Sequence, residues 1–422
     1  MLDLIGVLDP RNGLARASAV RAPDDLPLWL VAVDVGLSDA REAAGGERTP
    51  FDAVGAYGWS RVDAMTRAVG EAVERFSLVA PAGDPLVDAA LPADADLLAR
   101  LVAAGCLGRG AQHQDLAWAR AVELTGAGPR PVALPAVLLT DPVPACTWAD
   151  GSPSGAAAGI GWEFAAERAL RESVERDASS CCWSLRPRLP FVDAVSLALR
   201  LGSIETAAAR DVLEYLDRHD AVAYTVLLPT DLPGTTSAMT FVLGHEGATP
   251  VLATGARAAT DPSESVAVSL REALQVYSSL LPLLERPAPP VGPVVDEQSR
   301  AWACMQAPAV GHFLGWVEKG GVVAAADLEV PATAAPWTAG GLAGALRDRG
   351  LAPLVADLSA RLPGPVREQG WAAVRALVLG HQQYRMDDTK PWSVHQPRLE
   401  QWRAMLVDVD DVHPATLSHT LI

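Results

Sequence analysis

Two distant stretches of this chain carry the same acidic pattern, and each carries it inside an apolar helix. The first reads Ala68-Val-Gly-Glu71-Ala-Val-Glu74-Arg75-Phe76, the second Ala169-Leu-Arg-Glu172-Ser-Val-Glu175-Arg176-Asp177. Glutamates three residues apart share one face of a helix, and the arginine four residues after the first joins that face. A single Glu-x-x-Glu-Arg is ordinarily a salt bridge on a solvated helix. The neighbours of the first copy are apolar or small, so its helix is mostly buried and the polar stripe is out of place as plain surface. Two glutamates side by side in a semi-buried setting repel each other, and they either meet a cation or take up a proton. Hard oxygen ligands favour magnesium or calcium over zinc. Magnesium keeps only one or two carboxylates and fills its shell with water and phosphate oxygens. Glu71, Glu74, Glu172 and Glu175 therefore suit two magnesium ions bridged by a nucleotide. Arg75 and Arg176 are placed to balance the carboxylates or reach phosphate.

The bulk of the sequence narrows the setting. A chain of 422 residues, half of them apolar, buries a sizeable core and suggests two or three subdomains or one large α/β body. The net charge of −17 makes it a poor general binder of nucleic acid or of acidic membranes, so an anionic ligand must be held locally. Positive charge is nearly all arginine, with only Lys319 and Lys390. The five cysteines, Cys106, Cys146, Cys181, Cys182 and Cys304, include no C-x-x-C pair, which argues against a disulfide framework or a zinc site and for a reducing, cytoplasmic setting. No secretory core fits between the early charges Asp3, Asp9, Arg11, Arg16, Arg21, Asp24 and Asp25, and no long uncharged apolar window suggests a membrane span.

Periodicity predicts alternating strands and helices, hence a mixed α/β (α+β) fold. Strands are expected at Trp29–Asp34, Pro129–Leu139 (an edge, given its prolines), 221–229, 238–244, 250–254 and 373–379. Helices are expected at 61–78, 84–105 (whole or broken), 161–184, 203–218 and 262–285. A loop of small residues is expected at 151–159, and the stretch 286–295, Arg286-Pro-Ala-Pro-Pro-Val-Gly-Pro-Val-Val, reads as a linker or exposed loop. The loop contains Ser154 and leads into the second acidic helix, where a helix N-terminus and small residues admit a phosphate. A third stretch, Ser269-Leu-Arg271-Glu272-Ala-Leu-Gln275, reads by itself as an ordinary amphipathic helix.

In this order and spacing the three pieces resemble the YcaO family. The resemblance rests on Gly70–Arg75, on Ser154–Gly159 with Leu170–Ala178, and on Leu270–Gln275, with Leu8-Asp9-Pro10 and the strand Val374–Gly380 in support. It spans nearly the whole chain. It implies a YcaO-like fold, with an ATP- and magnesium-binding core over 1–295 and the C-terminal part of the domain over 296–422. It implies Mg2+ ligands at Glu71, Glu74, Glu172 and Glu175. Nucleotide contacts are implied at Arg176 and Glu272, with Ser154 and Gln275 in weaker roles. The implied activity is ATP-dependent activation of a backbone amide in a ribosomally made precursor peptide. The leading product is an azoline made by cyclodehydration of Cys, Ser or Thr; thioamide or macroamidine formation and a non-catalytic subunit are the alternatives. A separate ThiF-like or leader-peptide-binding partner is implied as well, and the oligomeric state stays open, a homodimer included. Three positions depart from the family pattern: Tyr57, Arg67 and Val268. The end of the chain, Leu417-Ser-His-Thr-Leu-Ile422, also lacks a proline-rich tail.

Overall fold

The apolar runs and amphipathic stretches resolve into helices and three sheets in a computed structural model, which describes all residues except 1–2, 44, 46–51, 89, 92–93, 113, 115, 142–147, 248, 288–291 and 411–422. In chain order the strands are β1 Ala17–Arg21, β2 Trp29–Asp34, β3 Val54–Gly58, β4 Trp118–Thr125, β5 Gly128–Pro135, β6 Ala156–Ile160, β7 Phe191–Asp193, β8 Val222–Leu228, β9 Thr236–Glu246, β10 Thr249–Ala259, β11 Val322–Val323, β12 Ala352–Asp357 and β13 Trp371–Leu379. The chain forms two compact units. One comprises Met1–Arg21, Trp29–Ser173 and Trp337–His395; the other comprises Ala22–Leu28, Val174–Pro336 and Gln396–Ile422.

The first unit holds an antiparallel sheet β1-β2-β3 and a five-stranded sheet in the order β5-β4-β12-β13-β6. The first acidic helix, Arg61–Leu78, packs against β2, β3, β6 and β13. Ser60 starts it by accepting a hydrogen bond from the Asp63 backbone N–H at 3.1 Å. Its inner face is Ala64, Ala68, Val69, Ala72, Val73 and Leu78, all fully buried. The alanines let the sheets approach, and burying each larger apolar side chain contributes about 2 kcal/mol. β5 lies at the sheet edge, the position that tolerates prolines.

The second unit is built on the sheet β10-β9-β8-β7-β11, antiparallel except for β11 beside β7. The helix Pro262–Leu280 packs on β9 and β10. Gly255 permits the approach, since a Cβ there would lie 2.2 Å from the Ser269 carbonyl oxygen. Trp183, Phe191, Phe241, Phe313 and Trp316 fill the core in tilted, stacked and edge-on pairs.

Three expectations change. The strand expected over Pro129–Leu139 ends at Pro135, and Ala136–Leu139 winds into a 3-10 turn. The loop at 151–159 is only half loop: Ala156–Ile160 is strand β6, paired with β13, because a row of small residues fits a sheet lying under the first acidic helix. The helix expected over 84–105 forms only at Ala95–Ala103. Upstream, Asp84 is held by Arg361 at 2.6 Å and Val87 bridges Ala119, which draws that segment out of a helix. Cys146, part of the 286–295 linker and the terminal Leu417–Ile422 lie outside the described residues. The remaining four cysteines are free thiols.

Candidate functional site

On the first acidic helix, Glu71, Glu74 and Arg75 form one half-buried stripe. Arg75 lies 3.7 Å from Glu71, 4.0 Å from Glu74 and 3.9 Å from Asp141. The second acidic helix, Trp162–Leu185, brings Glu172 to the same region of the first unit, and the Ser154 hydroxyl reaches the Glu172 carboxylate at 3.4 Å. The Glu74 side chain keeps 23% of its exposure. Burial, then the negative charges of Glu172 and Glu71, push its carboxyl up to about 8 against the opposing pull of Arg75 and Arg168. Three acids thus share one field, and Glu74 keeps its proton at neutral pH.

The loop that carries Ser154 is fixed by its backbone. Gly155 sits at φ +82, and a Cβ there would come within 2.4 Å of the Ala376 carbonyl oxygen, so glycine is required. The Gly155 carbonyl accepts from the Ala376 N–H at 2.7 Å, which ties the loop to β13. The Ser152 hydroxyl accepts from the Ser154 N–H at 3.1 Å, and the Ser152 carbonyl accepts from Arg375 Nη2 at 2.5 Å. Arg375 is not among the candidates read from the sequence, although it carries a signal there: it is the one charge in the nine-residue apolar run Trp371–Leu379, every residue of which is buried. Burial draws its guanidinium down to about 10, while Asp141, Glu172 and Glu74 pull the other way, so it stays charged at neutral pH.

In the second unit, Glu175 is buried and accepts from the Ala258 N–H at 3.1 Å. Arg176 lies 3.8 Å from it. Arg257 bonds Glu264 at 3.0 Å; burial works against its charge, but Glu175, Glu264 and Glu272 together raise its pKa. Glu272 and Gln275 are half-buried and share a face of the helix Pro262–Leu280, and Arg271 stands 3.9 Å from Glu272. The motif's last residue, Asp177, is turned away to a buried cluster with Arg398 and Trp402.

The three departures have plain positions. Tyr57 is half-buried on β3, Arg67 pairs with Asp63 one turn back at 2.7 Å, and Val268 is core. Among the described residues, no three His, Cys, Asp or Glu side chains close on a point as a preformed metal cage. The donors present, the carboxylates of Glu71, Glu74 and Glu172 with the Ser154 hydroxyl, are hard oxygens of the kind magnesium takes alongside water and phosphate. The raised Glu74 and the small-residue loop fit a metal-bound nucleotide equally. Among the described residues no helix is long and apolar enough to cross a membrane.

The family's sequence model, described as a YcaO cyclodehydratase that binds ATP and Mg2+, matches residues 55–381, and the chain belongs to the YcaO family. ATP and Mg2+ are that family's cofactors. No curated protein matches the sequence. Among solved structures, the chain is similar to YcaO from Methanopyrus kandleri bound with AMPPCP and Mg2+, with TM-score 0.61, 20% identity and 92% of each chain covered. It is also similar to a heterocyclase in complex with substrate and cofactor, with TM-score 0.64 and 18% identity over 91% of this chain; it spans 52% of that heterocyclase. The E. coli microcin synthetase McbBCD complex follows, with TM-score 0.58, 14% identity and 86% of each chain covered. At these identities the likeness is one of fold.

Proposed function

We propose that this chain activates backbone amides of a ribosomally made peptide with ATP, forming azolines from Cys, Ser or Thr residues. The observation that carries the reading is that Glu71, Glu74 and Glu172 share one electrostatic field beside the Ser152–Gly155 loop, with the Glu74 carboxyl pushed up to about 8. Glu71, Glu74 and Glu172 are the Mg2+ ligands in this reading, and Ser154 and Arg75 steady the nucleotide side. The family pattern adds Glu175 as a ligand and Arg176, Glu272 and Gln275 as nucleotide contacts. Bound Mg2+ neutralises phosphate charge during transfer.

The substrate side chain's sulfur or oxygen attacks the preceding carbonyl carbon, and its proton departs. The γ-phosphoryl group passes from ATP to the resulting oxygen, leaving ADP. Loss of phosphate together with the amide proton then gives the C=N bond of the ring. A ThiF-like or leader-binding partner delivers the peptide. Support comes from the family description and from the heterocyclase and microcin synthetase among the structural neighbours. The test is mass spectrometry of a cognate precursor incubated with the chain, its partner and Mg-ATP: one water lost per ring supports the reading, and an unchanged peptide with no ADP formed refutes it.

A second reading is a non-catalytic subunit. It is favoured by Val268, which is core, and by Arg67, which is occupied by Asp63. ATP hydrolysis by the purified chain would eliminate it.

A further inference from the structure

β13 carries one charged residue through the interior of the first unit. Arg375 is 6% exposed and makes one hydrogen bond, from Nη2 to the Ser152 carbonyl. Its Nε and Nη1 are buried and have no hydrogen-bond partner. A buried guanidinium left this under-bonded is unusual, because native structures satisfy their buried donors. Arg375 also lines a cavity of ≈ 30 Å³ together with Ser152, Ser154, Asp150, Gln383 and Tyr384. Space of this size admits about two water molecules or the oxygens of one tetrahedral group. Asp150, on the same wall, is already engaged by the backbone N–H groups of Met386 at 3.1 Å and Asp387 at 3.0 Å. Ser154 links the cavity to Glu172, and the charges of Glu172 and Glu74 are felt at Arg375. A buried cation with two unpartnered donors therefore borders this cavity, within the field of Glu172 and Glu74.

We propose that Arg375 is a further nucleotide-contacting residue whose free N–H groups take oxygens of the terminal phosphate of ATP. The inference rests on the nucleotide reading above. In the chain without nucleotide, Arg375 braces the Ser152–Gly155 loop. With a terminal phosphate present, Nε and Nη1 gain the acceptors they lack, and the charge of that group is met from the protein side as well as from the metal. A planar guanidinium suits this role because it offers parallel donors to a phosphate edge.

The experiment is calorimetric titration of the full chain and its Arg375→Met and Arg375→Lys variants with Mg-ATP and with Mg-ADP, alongside melting curves. Arg375→Met should weaken Mg-ATP roughly 10- to 100-fold while changing Mg-ADP less than about threefold, as expected for loss of charge-assisted bonds to one phosphate. Lysine should recover part of the loss, since it keeps the charge without the fork. Equal weakening of both nucleotides, or no weakening, overturns the inference and leaves Arg375 as a loop brace. If the methionine variant does not fold, the same comparison on the lysine variant decides. A wild-type chain that binds neither nucleotide overturns the nucleotide reading and this inference with it, a pattern distinct from the other outcomes.

Discussion

Arg398 grips Asp177 along one edge of its guanidinium: Nε lies 3.0 and 3.1 Å from the two carboxylate oxygens and Nη2 lies 2.6 Å from Oδ2. Trp402 Nε1 donates to the same Oδ2 at 3.0 Å, and Asp231 takes Arg398 Nη2 at 2.8 Å. Both partners are almost wholly buried. The helix Gln396–Met405 is thereby pinned to the second acidic helix, two residues beyond Glu175.

Breaking such a pair from one side strands a buried charge. Arg398→Met should destabilise the chain by about 3–5 kcal/mol in urea unfolding, and pairing it with Asp177→Leu should recover a substantial part. A single variant that unfolds at the wild-type midpoint would show that the pair carries no such weight.

Glu74 supplies a pH-dependent term. Its folded pKa, about 8, stands above the ordinary value of 4.5, so between those values the folded chain holds a proton that the unfolded chain has lost. The associated stability is fully present below 4.5 and is lost as pH rises through 8. Removing the charge should reverse that loss: Glu74→Gln, without metal, is expected to be more stable than wild type by up to about 4 kcal/mol at pH 8.5, with the gap closing towards pH 5. Denaturant titrations at the two pH values measure it, and an equal gap at both would refute the assignment.

The local parts of this architecture were legible and the distant ones were not. The helix Arg61–Leu78 announces itself through its apolar period and Ser60 at its start, and the paired acids stand out against apolar neighbours. The Ser/Gly/Ala stretch was harder, because small residues serve a loop and a tightly covered strand equally well; only pairing with β13 makes Ala156–Ile160 a strand. Asp177 reads as the tail of an acidic motif, and nothing near it in sequence discloses a partner 221 residues away. Arg375 was visible as a lone charge in an apolar run. Its meaning depends on a loop 223 residues earlier, which no local pattern contains.

His312 should give the chain an acid-sensitive core. The ring is 5% exposed, packs 4.4 Å from Trp183 and bonds the Trp183 carbonyl through Nε2 at 2.8 Å. Burial, aided by the charge of Arg186, lowers its pKa from 6.5 to about 4. Between those values the unfolded chain binds the extra proton, so stability is fully present above 6.5 and is lost as pH falls through 4. The loss should reach about 3 kcal/mol at most. Urea midpoints from pH 7 to pH 4 should fall more steeply for wild type than for His312→Gln, and parallel slopes would assign the acid sensitivity elsewhere.

Glu172→Gln separates function from fold at the proposed metal site. The side chain is half-buried and accepts a hydrogen bond from the Ser154 hydroxyl, which an amide oxygen can still accept, so the fold should be retained. An amide keeps the shape but removes the charge that a divalent ion requires. Mg-ATP affinity and ATP-dependent peptide modification should therefore collapse while the melting temperature holds. The variant also lifts one of the two negative charges acting on Glu74, so its alkaline stability should rise relative to wild type. Turnover and Mg-ATP affinity both at wild-type levels would remove Glu172 from the site.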